Sequence, residues 1–238
     1  MLTYITVAHG EPFDRLLAAM EESIWENVPT ADVNVFDECI PTNCMKLANI
    51  DKHRIWADAM AIAKTYEENI VLCDCDTLWL RDPSFLFEHD FDVAYTTRPG
   101  KFPINAGIVY CKPTHRAVGF IRDVAVWALE LGTATGRSHW FAEELIAKYG
   151  GVGQAAFVMA METNRYGANL MPVDCQTWNN CDQTWKRFSD KTVALHIKGK
   201  LRRRCLNESF PPERDELLAP LIRIWRRYEQ AALTAIPI

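Results

Sequence analysis

The run Thr3-Tyr-Ile-Thr-Val-Ala8 is β-branched and aromatic and predicts a strand. His9-Gly10 breaks it, and Pro12 stands where proline is tolerated, at the start of a helix. Phe13, Leu16, Leu17, Met20 and Ile24 then recur at helical spacing until Asn27-Val28-Pro29. Val33, Val35 and Phe36 alternate with polar residues and predict a second strand. Asp51 reads as the N-cap of a helix carrying Ile55, Ala59, Ile62, Ala63 and Tyr66. An apolar strand is predicted over 69–73, with Ile70, Val71, Leu72 and Cys73 as its buried run. The order strand–helix–strand–helix–strand predicts an α/β fold, a mostly parallel sheet flanked by helices and joined by right-handed crossovers.

The pattern continues with a short strand from Asp92, a Pro- and Gly-containing loop from Arg98 to Pro103, and a strand from Asn105 to Cys111. A helix over 114–131 is expected to turn Val118, Ile121, Val124 and Leu129 to the core. The glycines at 150, 151 and 153 form a turn before a helix beginning near Gln154. Residues 169–180 read as extended, 192–196 as a last strand, and 212–233 as a basic amphipathic helix. No repeat or linker divides the chain, so its 238 residues are expected to form one domain.

Composition narrows the class. The net charge is −5, which excludes a generally basic nucleic-acid binder. The charge is unevenly spread, however. From Lys186 to Arg227 twelve basic residues face five acidic ones, a net +7 that leaves −12 elsewhere. Such asymmetry suits an anionic partner, or merely a solvated helix face. None of the eight cysteines forms a CxxC pair, so a zinc ribbon is not expected. The N-terminal MLTYITVAHGEP has no basic flank and does not read as a signal peptide, and no window approaches a membrane span of about 20 apolar residues. A cytoplasmic protein with reduced thiols and no transmembrane segment is the expectation.

Candidate chemistry concentrates at strand ends. In sheets of this type ligands bind beyond the carboxyl edge, where both His9-Gly10 and Asp74-Cys75-Asp76 fall. Continued alternation would put Asp74 and Asp76 on one side and Cys73 and Cys75 on the other. Two carboxylates there offer oxygen ligands to a hard cation such as Mg²⁺ or Mn²⁺, which completes its shell with water and substrate phosphates. The plain alternative is a pair of solvated loop acids.

The run NIVLCDCDTLWLRDPSFLFE resembles the D-x-D segment of GT-A fold glycosyltransferases, in particular the glycogenin-like and galactosyltransferase-like branch. Phe102-Pro-Ile-Asn105-Ala-Gly107-Ile-Val resembles that family's F-N-x-G-V segment. Gly153-Gln154-Ala-Ala-Phe resembles its D-Q-x-x-h element with Gly153 in place of Asp. Leu195-His196-Ile-Lys198-Gly199-Lys200 resembles its H-x-x-G-x-x-K element, with the lysine early and no K-P-W after it.

The resemblance implies a Rossmann-like GT-A domain, with a nucleotide-binding half over about 1–112 and an acceptor half over about 113–238. It implies a nucleotide-sugar donor, UDP-linked by the branch, and Mn²⁺ or Mg²⁺. Asp74 is assigned to the ribose and metal, Asp76 to the metal, and His196 to the metal as third ligand; a core histidine is the alternative for His196. Lys198, Gly199 and Lys200 are assigned to the diphosphate, and Ala8, His9 and Gly10 to the nucleoside. Lys52 or Arg54 is assigned to the base or phosphate. Asn105 and Gln154 would meet the sugar or acceptor, or else serve as ordinary turn and helix-start residues. The branch implies hexosyl transfer with retention. An inverting enzyme would need a carboxylate base, for which Glu143, Glu144, Asp174 and Asp182 are available.

Acceptors open at this stage are a glycan, a protein, or a nucleic acid gripped by the basic C-terminal part. A hydroxymethylated DNA base is the specific nucleic-acid candidate. Rival readings are a metal-dependent nucleotidyl- or phosphotransferase, disfavoured by the absence of a P-loop, and a non-catalytic nucleic-acid-binding domain.

Overall fold

A computed structural model describes residues 1–8, 13–36, 44–100 and 104–235. In chain order the elements are β1 (Leu2–Val7), α1 (Phe13–Asn27), β2 (Asp32–Phe36), α2 (Met45–Thr65), β3 (Asn69–Asp74), β4 (Thr77–Trp79), β5 (Val93–Thr97) and β6 (Ile104–Cys111). There follow α3 (His115–Thr133), α4 (Gly136–Tyr149), α5 (Val152–Thr163), β7 (Leu170–Asp174), α6 (Cys175–Trp178), β8 (Ala194–His196), α7 (Gly199–Cys205) and α8 (Ala219–Ala235). His9, Gly10 and the Phe102-Pro103 start of the second motif lie outside the described residues.

Six strands form the main sheet in the order β2-β1-β3-β6-β5-β7. The pairs β1–β2, β1–β3 and β5–β7 are parallel, whereas β6 runs antiparallel to both β3 and β5. Alternation in the strands sorts side chains to two cores. Ile5, Val7, Ile70 and Leu72 pack under α2, α3 and α5, while Tyr4, Val71 and Cys73 face α1 and Trp79. A third cluster joins α1, α7 and α8 through Leu16, Leu201, Ile222 and Trp225. No helix among the described residues is long and apolar enough to cross a membrane.

Several sequence expectations are corrected. α2 begins at Met45, two turns before Asp51, which bonds Arg54 inside the helix instead of capping it. Leu129 is exposed, and the core face of α3 is made by Ala117, Phe120, Ile121, Val124, Ala128 and Leu131. The stretch 169–180 is extended only through β7 and then turns into α6, capped by Asp174 accepting from the Thr177 amide. The basic run from Gly199 is helical, and α8 begins at Ala219, not 212.

Two features aim the chain at the carboxyl edge of β3. First, strand pairing stops at Asp74, where residues 75 and 76 form a turn closed by the Thr77 hydroxyl donating to the Asp74 carbonyl at 2.9 Å. β4 then pairs antiparallel with β8, setting Thr77 opposite His196. Second, β6 slips against β5, where Tyr95 pairs with Val109 but Thr96 pairs with Asn105. Residues 106–108, which have no partner in β5, form a β-bulge beside the end of β3, a device that re-aims backbone near sites.

Candidate metal and nucleotide-sugar site

Ligand atoms of Asp74, Asp76 and His196 lie within 4.8 Å of one another. Asp74 ends β3 on the face covered by α2, so Lys52 from that helix reaches its Oδ1 at 2.7 Å. Asp76 is deeply buried and faces both His196 and Arg202. His196 Nε2 stands 3.1 Å from Asp76 Oδ1 and 3.6 Å from Asp74 Oδ2, and the Arg202 guanidinium donates to Asp76 Oδ2. Burial alone would raise the Asp76 carboxyl, but His196 and then Arg202 outweigh it and hold its pKa well below the usual carboxylate range. The turn also undoes the alternation expected from sequence, because Cys75 lines the same cavity as the two acids. That cavity measures about 100 Å³ and is further bounded by Val7, Asn49, Lys52 and Arg202.

A buried relay fixes the imidazole. The Thr96 hydroxyl donates to the Asn105 carbonyl at 2.7 Å and accepts from Asn179 Nδ2 at 3.0 Å. The Asn179 amide is thereby oriented, and its Oδ1 faces His196 Nδ1 at 3.1 Å. An oxygen there requires Nδ1–H on the ring, which leaves Nε2 as the nitrogen that faces the acids and can ligate. Two carboxylates and an imidazole suit Mn²⁺ or Mg²⁺, so the residues present fit the divalent ion that the fold family implies.

Gly107, in the bulge, makes the cluster sterically possible. A Cβ there would lie 2.4 Å from His196 Cε1 and 2.7 Å from Asp74 Oδ2. Gly153, standing where the family motif has Asp, is equally constrained. Its Cβ would meet His53 Nε2 at 2.4 Å, and Asn49 Oδ1 is 3.5 Å away. His53 is buried, with neither ring nitrogen hydrogen-bonded among the described residues. Burial, then Lys52, pushes its pKa well below the ordinary value, so it is neutral.

The remaining predicted site residues divide. Asn105 Nδ2 and Gln154 Oε1 are both buried without a partner among the described residues, while Asn105 Oδ1 accepts from the Gly107 amide at 3.1 Å. Ala8 is buried at the end of β1, its amide bonded to the Phe36 carbonyl. Lys198 sits 3.6 Å from Asp182 and Gly199 has φ +53°, the left-handed region glycine permits. Lys200 is not brought to the cavity; it pairs with Asp215 at 2.6 Å. Arg54 lies on the exposed side of α2 against Asp51 and Asp58, and Lys52 is the cation that α2 supplies to the cavity.

Arg202 is the residue that sequence reasoning missed. Counted from His196, the H-x-x-G-x-x-K spacing lands on Arg202, a cation in the expected place. Lys200 distracted from it, and only helical winding from Gly199 carries Arg202 back over Asp76. His53 and Asn179 were likewise missed, because nothing in their local sequence signals a role.

A family model described as nucleotide-diphospho-sugar transferase matches residues 65–202, more than half of the chain, including both acids and His196. No curated protein matches the sequence significantly. Among solved structures, the fold resembles a glycosyltransferase involved in the glycosylation of the major capsid of PBCV-1, with TM-score 0.58, 14% identity, and coverage of 85% of this chain and 96% of that one. It also resembles the glycosyltransferase GlyE of Streptococcus pneumoniae TIGR4, with TM-score 0.54 and 12% identity over 98% of this chain and 62% of GlyE, so this chain spans less than two thirds of that protein. At such identities the likeness carries the fold and no more. The chain belongs to the nucleotide-diphospho-sugar transferase family and is a glycosyltransferase of GT-A fold.

Proposed function

We propose that the protein transfers a hexosyl group from a UDP-sugar to an acceptor hydroxyl with retention, using Mn²⁺ or Mg²⁺. The observation that carries this reading is the convergence of Asp74, Asp76 and His196 at the carboxyl edge of β3. Asp74, Asp76 and His196 would hold the ion, with Asp74 also at the ribose. A bound divalent ion supplies positive charge that stabilises the departing diphosphate. Lys52, Arg202 and Lys198 add fixed cations to the same charge, which costs no reorganisation during the reaction. Ala8, His9 and Gly10 are assigned to the nucleoside in this reading, with a donor half over about 1–112 and an acceptor half over about 113–238.

Asn105 and Gln154 are assigned to the sugar or acceptor. Their orphaned Nδ2 and Oε1 support this, because an unpaired buried polar atom costs about 1–3 kcal/mol that a sugar hydroxyl would recover. Retention is supported by the carboxylates. Among the described residues, the only acids lining the cavity are Asp74 and Asp76. Glu143 pairs with Lys46, Glu144 is exposed, and Asp174 caps α6. Asp182 lies between Lys198 and Arg98; burial opposes them, yet together they hold its pKa low, which suits a poor base.

The decisive experiment is a thermal-shift panel of UDP-, GDP- and CMP-sugars with Mn²⁺. A UDP-sugar at 100 times its Kd should stabilise the protein by about 2.7 kcal/mol. Asp76→Ala and His196→Ala should abolish that metal-dependent shift, and a panel in which no nucleotide-sugar raises the Tm refutes the reading. NMR of the product's anomeric proton then reports stereochemistry. For the acceptor, some C-terminal cations are already engaged: Arg226 donates to the Phe210 carbonyl, and Arg227 pairs with Glu26 at the surface. Lys186, Arg187, Arg203 and Arg223 are exposed and support a polyanionic acceptor, for which duplexes with and without hydroxymethylpyrimidines are the test.

A further inference from the structure

Cys175 opens α6 and Cys181 follows six residues later, with their sulfur atoms 4.0 Å apart. Both are almost fully buried, at 1% and 0% exposure. The segment between them holds the machinery that orients His196. Asn179 Oδ1 faces its Nδ1, and the Asn180 carbonyl accepts from its backbone amide at 2.8 Å. The Cys175 sulfur is itself within hydrogen-bonding reach of Thr96, the hydroxyl that fixes the Asn179 amide. The two thiols therefore bracket the relay at both ends. A disulfide needs about 2.05 Å between sulfurs, so its formation would bring the two sulfurs about 2 Å closer and pull on the segment that joins them. That movement is large against a hydrogen-bonded relay whose partners sit near 3 Å.

We propose that Cys175 and Cys181 form a reversible disulfide with a hydroperoxide as oxidant, and that its closure weakens metal binding at Asp74, Asp76 and His196. Cys181 is the thiol whose pKa is pulled down, first by its hydrogen bond with Cys175. Its thiolate attacks one peroxide oxygen, the O–O bond breaks, and Cys181 becomes a sulfenic acid as the other oxygen leaves as hydroxide, which takes up the proton the thiol released and becomes water. The Cys175 sulfur then attacks the sulfenic sulfur, the S–O bond breaks, and a second water leaves. Two thiols are oxidised by two electrons and one peroxide is reduced. The disulfide stands independently of the proposed glycosyl transfer; only its effect on metal affinity rests on that reading.

The test uses the full chain, treated with hydrogen peroxide and then mapped. Both cysteines fall in one tryptic peptide, Tyr166 to Lys186, and Trp178 lies between them. After oxidation this peptide should be lighter by two hydrogens and refuse alkylation, and chymotryptic cleavage after Trp178 should give two fragments that separate only on reduction. Mn²⁺ titration by calorimetry should show affinity falling about 10- to 100-fold on oxidation and recovering with dithiothreitol, the range for disturbing a ligand's orienting group. Cys181→Ser should keep the reduced affinity and lose the peroxide response. Alkylation of both thiols after peroxide overturns the disulfide, and a disulfide that leaves Mn²⁺ affinity unchanged overturns the switch. If the reduced protein binds no Mn²⁺, the metal reading fails and the switch fails with it, while peptide mapping still decides the disulfide. Mapping on the natural chain stands even if a variant fails to fold.

Discussion

Gly107→Ala tests the geometry at the point of closest approach. In a strand this exchange is ordinarily favourable by about 0.5–1 kcal/mol, because alanine loses less backbone freedom on folding. Here the new methyl would sit 2.4 Å from His196 Cε1 and 2.7 Å from Asp74 Oδ2, about an ångström inside ordinary contact. Neither neighbour can retreat easily. His196 is tied to Asn179 and Asp76, and Asp74 to Lys52. Overpacking of this kind costs about 1–3 kcal/mol, so the net effect should reverse sign and destabilise. Displacing a metal-site group by about an ångström should also cost about 100-fold in turnover. Urea unfolding, Mn²⁺ calorimetry and UDP-sugar hydrolysis read the three effects. His196→Ala removes one of the clashing groups, so Gly107→Ala should destabilise that background much less. A Gly107→Ala protein with native stability and native Mn²⁺ affinity would refute the placement, and so would strictly additive costs in the double mutant.

Other outcomes follow from the same contacts. Asn179→Ala should lower Mn²⁺ affinity about 10- to 100-fold while leaving the fold intact, read by calorimetry and circular dichroism. Gly153→Asp, which restores the family's Asp-Gln pair, should destabilise the native chain but cost markedly less in a His53→Ala background, because His53 Nε2 occupies the space that the new side chain needs. Arg202→Gln leaves the buried Asp76 carboxylate with one cation fewer and should cost about 3 kcal/mol of metal-free stability, part of which added Mn²⁺ restores, measured by thermal melts. The Asp76 pKa in the folded protein lies below its ordinary 3.8, so its stabilisation is fully present above that value and is lost as pH falls through the folded pKa. Acid unfolding of Asp76→Asn should accordingly be less steep in that window than that of the native chain.

Much of the site was legible in one dimension. An apolar strand ending in Asp74-Cys-Asp76 implies that the acids either surface at a sheet's carboxyl edge or meet a cation there, because ionised carboxylates are not left buried unpaired. The strand-helix alternation implied a mostly parallel sheet, and the spaced motifs carried Asn105, Gly107, Gln154 and His196 in order. The antiparallel β6 and its bulge were not legible, since strand direction depends on where the chain returns in space and not on side-chain period. The same holds for Asn179, whose value is one hydrogen bond to a ring 17 residues on, and for His53, brought against Gly153 from a helix a hundred residues earlier. Local pattern determined which residues face a core or an edge. Only tertiary packing decided that Lys52 and Arg202, and not Arg54 and Lys200, complete the charge around the acids, because helical winding within α2 and α7 selects which of two nearby cations turns inward.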